Sequence, residues 1–490
     1  MKLYHIPSFL NISYDLRFII RQLIITPCFR PKAMKDSTKR VAIVGSGPAA
    51  FYSAMELLRH DDPMVFVDML ERLPTPYGLV RGGVAPDHEK IKSVIKIFER
   101  TAGHPRFRFF GNVEFGKDIK RLELLQRYHA VIYAFGSRLD RHLNIIGENL
   151  QGSHSATEFV GWYNGHPDYR NFQFDLTSKR VAIIGMGNVA IDCARILCQD
   201  PQNLAKTDIA EHALEALQQS KIEEVFLIGR RGPVQAAFTP AEVRELLHLP
   251  KVDVVMRGSD LELDDHSKEE LSKASRNIQL NLQILRQIHD QGDRGNPRKL
   301  HLCFLISPTK IEGSDRVESI ELVHNEIVKE GGILKAKATD EVMHLNVDIV
   351  FRSIGYMGEA ILGLPFDDRK GTIPNDHGQL LDGVDGKLLK QEYTAGWIKR
   401  GPSGVIGSNK QDAMDTINRL KQNWETSDIQ EPKLAQEKLI DFLKQKKIQF
   451  VSFEDWKKLD KFEIEQGQRN GKSRQKICEV QEMLDLIQSA

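Results

Sequence analysis

Two stretches of this chain share one arrangement: a short apolar strand runs straight into a glycine-rich turn, and the turn into a helix. Arg40-Val-Ala-Ile-Val44 leads into Gly45-Ser-Gly47-Pro-Ala-Ala50, with a helix over Phe51–His60; Arg180-Val-Ala-Ile-Ile184 leads into Gly185-Met-Gly187-Asn188-Val-Ala190, with a helix over Ile191–Cys198. Both strand runs are apolar and β-branched, as expected inside a parallel sheet covered on both faces. In the first turn Gly45 permits the tight bend and Gly47 lets a pyrophosphate approach the backbone. Ala50 allows close helix–strand packing, and the helix N-terminus faces the phosphate charge. Two such units in 490 residues predict an α/β protein with two Rossmann-like dinucleotide-binding domains.

The end of the second strand in each unit distinguishes the two sites. The strand Val65–Leu70 ends at Glu71, 24 residues past Gly47, where a carboxylate accepts hydrogen bonds from a ribose. The first site therefore suits FAD or NAD. The corresponding strand of the second unit, Glu224–Ile228, ends in Gly229-Arg230-Arg231-Gly232, with no acid. Two guanidiniums at that place suit a 2′-phosphate, because each presents a planar fork of donors to phosphate oxygens. The second site therefore prefers NADP. A chain with two dinucleotides, one of them NADP(H), reads as a flavoprotein reductase with FAD in the first site.

Two strands look like crossovers between these units: Tyr128–Ala134, leading to Phe135-Gly136-Ser137, and Asp348–Ser353, leading to Ile354-Gly355-Tyr356. The NADP-binding domain, 138–355, is thus expected to be inserted within the FAD-binding domain, 36–137 plus 356–430. A polar, helical elaboration is expected over Ser259–Lys299, then hairpin-like strands at Leu302–Ile306 and Val317–Val323. The tail, 431–490, reads as charged and mostly helical with an aromatic loop at Phe450–Trp456.

Charge and cysteines exclude several classes. Lys and Arg total 68 against 67 acids, a net charge of +1, which leaves no global basic field for nucleic acid. None of Cys28, Cys193, Cys198, Cys303 and Cys478 forms a CxxC pair, which argues against a dithiol centre, an iron–sulfur cluster or a zinc ribbon. Residues 1–40 carry eight bases and two acids. The apolar stretch Phe18–Ile25 is broken by Arg21 and is too short to span a bilayer. The segment 1–35 is therefore an extension, with Met34 the expected start of a cytoplasmic protein. A transit peptide leading to the mitochondrial matrix is the alternative.

The motifs together resemble the NADPH:adrenodoxin/ferredoxin reductase family. The resemblance rests on the Gly45 turn, Pro74-Thr-Pro-Tyr-Gly-Leu-Val-Arg81, Gly83-Val-Ala-Pro-Asp-His88, Phe110-Gly-Asn-Val113, Phe159-Val-Gly-Trp-Tyr-Asn164, Gly229-Arg-Arg-Gly-Pro233, Phe238-Thr239 and Trp397-Ile-Lys-Arg-Gly-Pro-Ser-Gly-Val-Ile406. It runs from about Val41 to the carboxyl end. Pro105–Gly111 and Gly404–Lys410 are more similar to the bacterial-type branch than to the animal mitochondrial one.

The resemblance implies that FAD contacts Ala49, Glu71, Leu79 and the backbone of Phe115, with Trp397 and Gly404-Val405-Ile406 beside the isoalloxazine. It implies that NADP meets Gly185-Met186-Gly187-Asn188, then Arg230 and Arg231, with Glu242 and Gly404 completing the site. It further implies a His88–Asp192 couple near the nicotinamide and flavin. Read from the residues alone, Asp87 could instead cap a helix over Glu89–Arg100, with His88 at its start, and Asp192 could stabilise the N-terminus of its own helix. The implied partner is a ferredoxin-type iron–sulfur protein, docked on Arg59, His60, Arg244 and Arg276. The expected activity moves a hydride from NADPH to FAD and then single electrons to the ferredoxin. An NADPH diaphorase or quinone-type reductase with a soluble acceptor is the alternative.

Overall fold

The apolar runs before the two glycine turns become central strands of two separate parallel sheets in the computed structural model, which describes residues 38–59, 61–426, 431–434 and 437–489. The extension 1–35, the Phe18–Ile25 stretch, Cys28, Met34 and His60 lie outside those residues. In the first sheet the order is Asn375–Asp376, Gln379–Leu381, Leu388–Thr394, Ala130–Tyr133, Lys39–Val44, Val65–Leu70, Phe107–Phe110. The last five strands are parallel, and the first two form an antiparallel hairpin at one edge. The second sheet is wholly parallel: Ser153–Ser155, Ile349–Arg352, Arg180–Ile184, Glu224–Ile228, Arg298–Cys303, Val252–Met256.

The first sheet is thus drawn from two chain segments, with the whole second sheet between them in sequence. The two connections lie side by side: Leu139–Asp140 pairs antiparallel with Tyr356–Met357. Helices cover both faces of the first sheet, whereas the second sheet has helices on one face and the antiparallel strands Ile306–Glu312, Ser319–Glu330 and Ile333–Asn346 on the other. Phe51, on the first-turn helix Pro48–Leu58, stacks on Phe98 at 4.8 Å and Phe107 at 6.1 Å. Phe159, Phe174 and Phe351 make the corresponding aromatic cluster of the second unit. Each fully buried side chain of this size contributes roughly 1.5–3 kcal/mol.

Three expectations about local structure change. Leu302–Ile306 is not one strand: Arg298–Cys303 belongs to the parallel sheet and Ile306–Glu312 to a separate meander, with Leu305 at φ 56° turning the chain between them. That meander continues through Ser319–Glu330 into Ile333–Asn346, a strand not expected from the sequence. Its alternation is interrupted at Thr339-Asp-Glu341 and none of its residues is buried, so the period-2 signal that marks a buried strand is broken. Phe453–Trp456 is not part of a loop but opens the helix Phe453–Arg469, capped by the Ser452 hydroxyl accepting from the Asp455 N–H.

The carboxyl tail packs on the first unit and reaches the second. Leu439, Phe442 and Leu443 enter one of its cores; Phe453, Trp456, Leu459, Met483 and Leu484 enter the other. Glu463 is fully buried and accepts two bonds from Arg81, at 2.6 and 2.8 Å, and one from Arg474 at 2.7 Å. Burial alone would raise its carboxyl, but Arg81 and Arg474 hold it below the usual range. Glu463→Ala would remove the carboxylate that holds Arg81 and one of the two that hold Arg474, which keeps Asp460 at 2.6 Å, a cost of about 3–5 kcal/mol. The expected result is a clear drop in the denaturant midpoint. Because the carboxyl is held low, this contribution is present above its unfolded value and disappears as pH falls through the folded one.

Candidate active site

Both glycine turns require their glycines for the same physical reason. Gly45 has φ 101°, and a Cβ there would sit 2.6 Å from the Ala134 carbonyl oxygen; Gly185 has φ 141°, and its Cβ would sit 2.1 Å from the Ser353 carbonyl oxygen. Each turn is therefore pressed against the strand beside it, which leaves its outer face free. At Gly47 and Gly187 nothing stands within 4 Å of the Cβ position, the room that a phosphate needs. Glu71 closes the first turn: one carboxylate oxygen accepts from the Ser46 N–H at 3.1 Å and the Ser46 hydroxyl at 2.7 Å, the other from the Leu73 N–H at 3.1 Å. Ser46 was not among the expected site residues, although its place between the two glycines could have singled it out.

A cavity of about 900 Å³ opens from this turn, near the upper end of the ~300–1,000 Å³ usual for small-molecule sites. Gly45, Gly47, Ala49, Glu71, Leu79, His88, Phe115, Asn188, Asp192, Glu242, Trp397, Gly404, Val405 and Ile406 all line it. Leu79 and Val405 are large apolar residues left exposed on its wall, a surface suited to a flat ring. Trp397 packs on Tyr356 at 5.3 Å, so Tyr356, at the second connection, also belongs to this wall.

The remaining expected residues lie outside the cavity, at the carboxyl edge of the second sheet. The Gly185 N–H bonds the Ile228 carbonyl at 2.8 Å, and Met186 packs where a Cβ on Gly229 would stand. The second turn therefore sits against the strand end that carries Arg230 and Arg231. Both arginines are exposed, and no described acid forms an ion pair with either. Asn188 joins the two places: its Oδ1 accepts from the Thr239 N–H at 2.8 Å while the residue faces the cavity. Beyond Thr239, the helix Pro240–Glu245 carries Glu242 to the cavity wall.

His88 and Asp192 meet, but inside a larger charged cluster. Arg195, three residues after Asp192 on the helix Asn188–Cys198, is only 3% exposed at its side chain. Its guanidinium holds Asp87 at 2.6 and 3.2 Å and Asp192 at 2.9 Å. Asp87 is thus not a helix cap; the helix Glu89–Lys92 starts after His88 without a side-chain cap. His88 Nδ1 lies 3.8 Å from Asp192, while its Nε2 is 2.8 Å from both Glu245 and an Arg195 nitrogen. A guanidinium only donates and a carboxylate only accepts. Those last two bonds are therefore exclusive, and the proton state of His88 selects between them.

These contacts set the electrostatics of the cluster. Burial would lower His88, but the Glu245 hydrogen bond and the Asp192 charge raise it above its ordinary value. Burial and the neighbouring acids push Glu242 up to about 7, and one of its oxygens is buried without a hydrogen-bond partner. Between the unfolded carboxyl value and about 7 the folded protein holds the extra proton, so stability falls as pH rises through that window. Glu242→Gln should therefore melt above the parent at pH 8, with the difference fading towards pH 5. Thermal melts across that range check it. Asp87, Arg195 and Glu245 were not expected from sequence. The signal available was an arginine on the core face of a motif-bearing helix.

Residues 39–292 match the family described as pyridine nucleotide-disulphide oxidoreductase. A Mycobacterium tuberculosis protein named NADPH-ferredoxin reductase FprA is 47% identical over 454 residues, covering 91% of this chain and 98% of the relative. The chain belongs to this family. An Arabidopsis thaliana protein named NADPH:adrenodoxin oxidoreductase, mitochondrial, is 40% identical over 484 residues, covering 96% of this chain and 98% of that one. The solved structure of M. tuberculosis FprA in complex with NADPH superimposes with a TM-score of 0.87 at 46% identity, covering 92% of this chain and all of that one. The α/β fold with two parallel sheets and the reductase kinship expected from the motifs both stand. Among the described residues no helix is long and apolar enough to cross a membrane.

Proposed function

We propose that this protein is an FAD-dependent NADPH:ferredoxin oxidoreductase. The observation that carries the reading is one cavity that holds the first glycine turn and is met by Asn188 at the end of the second, with an acid closing the first turn and two exposed arginines beside the second. When bound, FAD supplies the step from two-electron to one-electron chemistry, taking a hydride from NADPH and releasing electrons singly. The chain does the placing. Gly45, Gly47 and Ala49 cradle the FAD pyrophosphate, Glu71 holds its ribose, and Leu79, Phe115, Trp397 and Gly404–Ile406 enclose its rings. Gly185–Asn188 receive the NADP pyrophosphate and Arg230 and Arg231 its 2′-phosphate, with Glu242 at the nicotinamide end. His88 and Asp192, held by Arg195, orient water or hold a proton beside the reacting rings.

The division into an FAD-binding domain, 36–137 with 356–430, and an NADP-binding domain, 138–355, accords with the paired connections at Leu139–Asp140 and Tyr356–Met357. The partner is a small acidic ferredoxin. Arg59, Arg244 and Arg276 are exposed, and Arg244 and Arg276 sit on helices packed against each other; His60 completes the proposed set. The place of action is the cytoplasm.

The test is reduction of cytochrome c by purified, FAD-loaded protein and NADPH, with and without added ferredoxin. Turnover that depends on ferredoxin and weakens with salt supports the reading. Equal turnover without ferredoxin identifies a diaphorase instead, and a protein that takes up no FAD removes the reading altogether.

A further inference from the structure

The tail segment 472–478 runs between the two units. Lys472 donates to the Ile209 carbonyl at 3.1 Å and to Glu211 at 2.8 Å, and the Ser473 N–H bonds the Lys206 carbonyl at 3.0 Å. Arg474 and the Ile477 N–H hold Glu463, which in turn holds Arg81. Lys476 sits at the centre with its side chain 1% exposed. Burial lowers Lys476 to about 7 against the raising pull of Asp208; in its charged form the ammonium meets three acceptors with its three protons: Asp208 Oδ2 at 3.1 Å, the Arg81 carbonyl at 3.1 Å and Asn164 Oδ1 at 3.3 Å.

Those acceptors come from both units. Arg81 belongs to the first, Asn164 and Asp208 to the second, and Arg81 and Asn164 both line the cavity, on opposite units. Asp208 is fixed from its other oxygen by Lys92, at 2.6 Å, which again belongs to the first unit. A buried ammonium with all three donors used has little freedom to shift, because any displacement leaves a donor unpaired away from water. The tie is therefore short, directional and shielded from solvent.

We propose that Lys476 is a positioning residue: it fixes the Arg81 wall of the cavity against the Asn164 wall and so sets the separation of the two dinucleotide sites. This rests on the two-dinucleotide reading given above. Lys476 touches neither dinucleotide in that reading; it acts through Arg81 and Asn164.

The test uses FAD-loaded full-length protein carrying Lys476→Met. Rapid mixing with NADPH separates nicotinamide affinity from the limiting rate of flavin bleaching. The limiting rate should fall about 10- to 100-fold, the scale of a misplacement near 1 Å, with little change in NADPH affinity. Amide hydrogen exchange should quicken at residues 81–84 and 164–166 together. Leu459→Ala is the control, since it loosens the same tail through its apolar face; it should lower stability without lowering the limiting rate. An unchanged limiting rate in Lys476→Met, or an equal loss in Leu459→Ala, overturns the proposal. If Lys476→Met does not fold, Asp208→Asn takes its place and should give a smaller loss of the same kind; no loss overturns the proposal. If the parent protein is not bleached by NADPH at all, the functional reading has failed, and the exchange pattern alone decides whether the tie holds the two walls.

Discussion

Replacing Arg230 and Arg231 together with Ala is expected to raise the KM for NADPH on the order of 10²- to 10³-fold while leaving the KM for NADH almost unchanged. A charge-assisted hydrogen bond contributes about 1.5–3 kcal/mol, and each 1.4 kcal/mol is roughly tenfold in affinity. Both side chains are exposed, so the lower part of that range applies to each. The effect is expected for NADPH alone because the two arginines lie just beyond the strand end against which the second turn packs, the place proposed for the 2′-phosphate and not for the nicotinamide. kcat with saturating NADPH should change little, since a contact made equally in the ground and transition states changes KM alone. Steady-state kinetics with both nucleotides checks this. Equal increases for NADPH and NADH would remove the 2′-phosphate role.

The second large effect is a contrast between two alanine substitutions. Gly45→Ala should yield protein that cannot hold FAD and is colourless. Gly185→Ala should yield yellow protein whose flavin is reduced by dithionite but not by NADPH. In both, the new Cβ would meet a backbone oxygen, Ala134 at 2.6 Å or Ser353 at 2.1 Å, and neither oxygen can move without disturbing a central strand. The positive φ at each position adds strain for any L side chain. The turns must therefore deform, and each deformation is local to one sheet. Visible spectra before and after each reductant separate the outcomes. A yellow Gly45→Ala protein, or normal bleaching of Gly185→Ala by NADPH, would show that the turns are not the phosphate cradles.

The turns were legible in the sequence because their requirement is local: a strand, two glycines and a helix within about twenty residues. Glu71 and the Arg230–Arg231 pair were legible for the same reason, each standing at the end of the next strand. The charged cluster around His88 was only half legible. Asp87 and Arg195 are 108 residues apart, and His88 and Glu245 are 157 apart. Nothing in the local pattern says that the helix Asn188–Cys198 presses Arg195 against the loop carrying Asp87. The tail shows the same limit. Glu463, Arg474 and Lys476 look like solvated charges on helical segments, whereas Glu463 and Lys476 are buried ties between elements far apart in the chain. The strand Ile333–Asn346 escapes a sequence reading because Thr339-Asp-Glu341 breaks its alternation in the middle and neither half shows a buried face.

The adjacent connections at Leu139–Asp140 and Tyr356–Met357 bear on how the chain assembles during synthesis. The second sheet has all its strands once residue 352 has been made. The first sheet does not, because Leu388–Thr394 must still come to lie beside Ala130–Tyr133. Until then that strand presents an open edge, a template for pairing with another chain. The inserted unit, whose ends are held side by side, can complete its own core first. On that order the outer sheet would close late, over a unit already folded, with the tail joining both last.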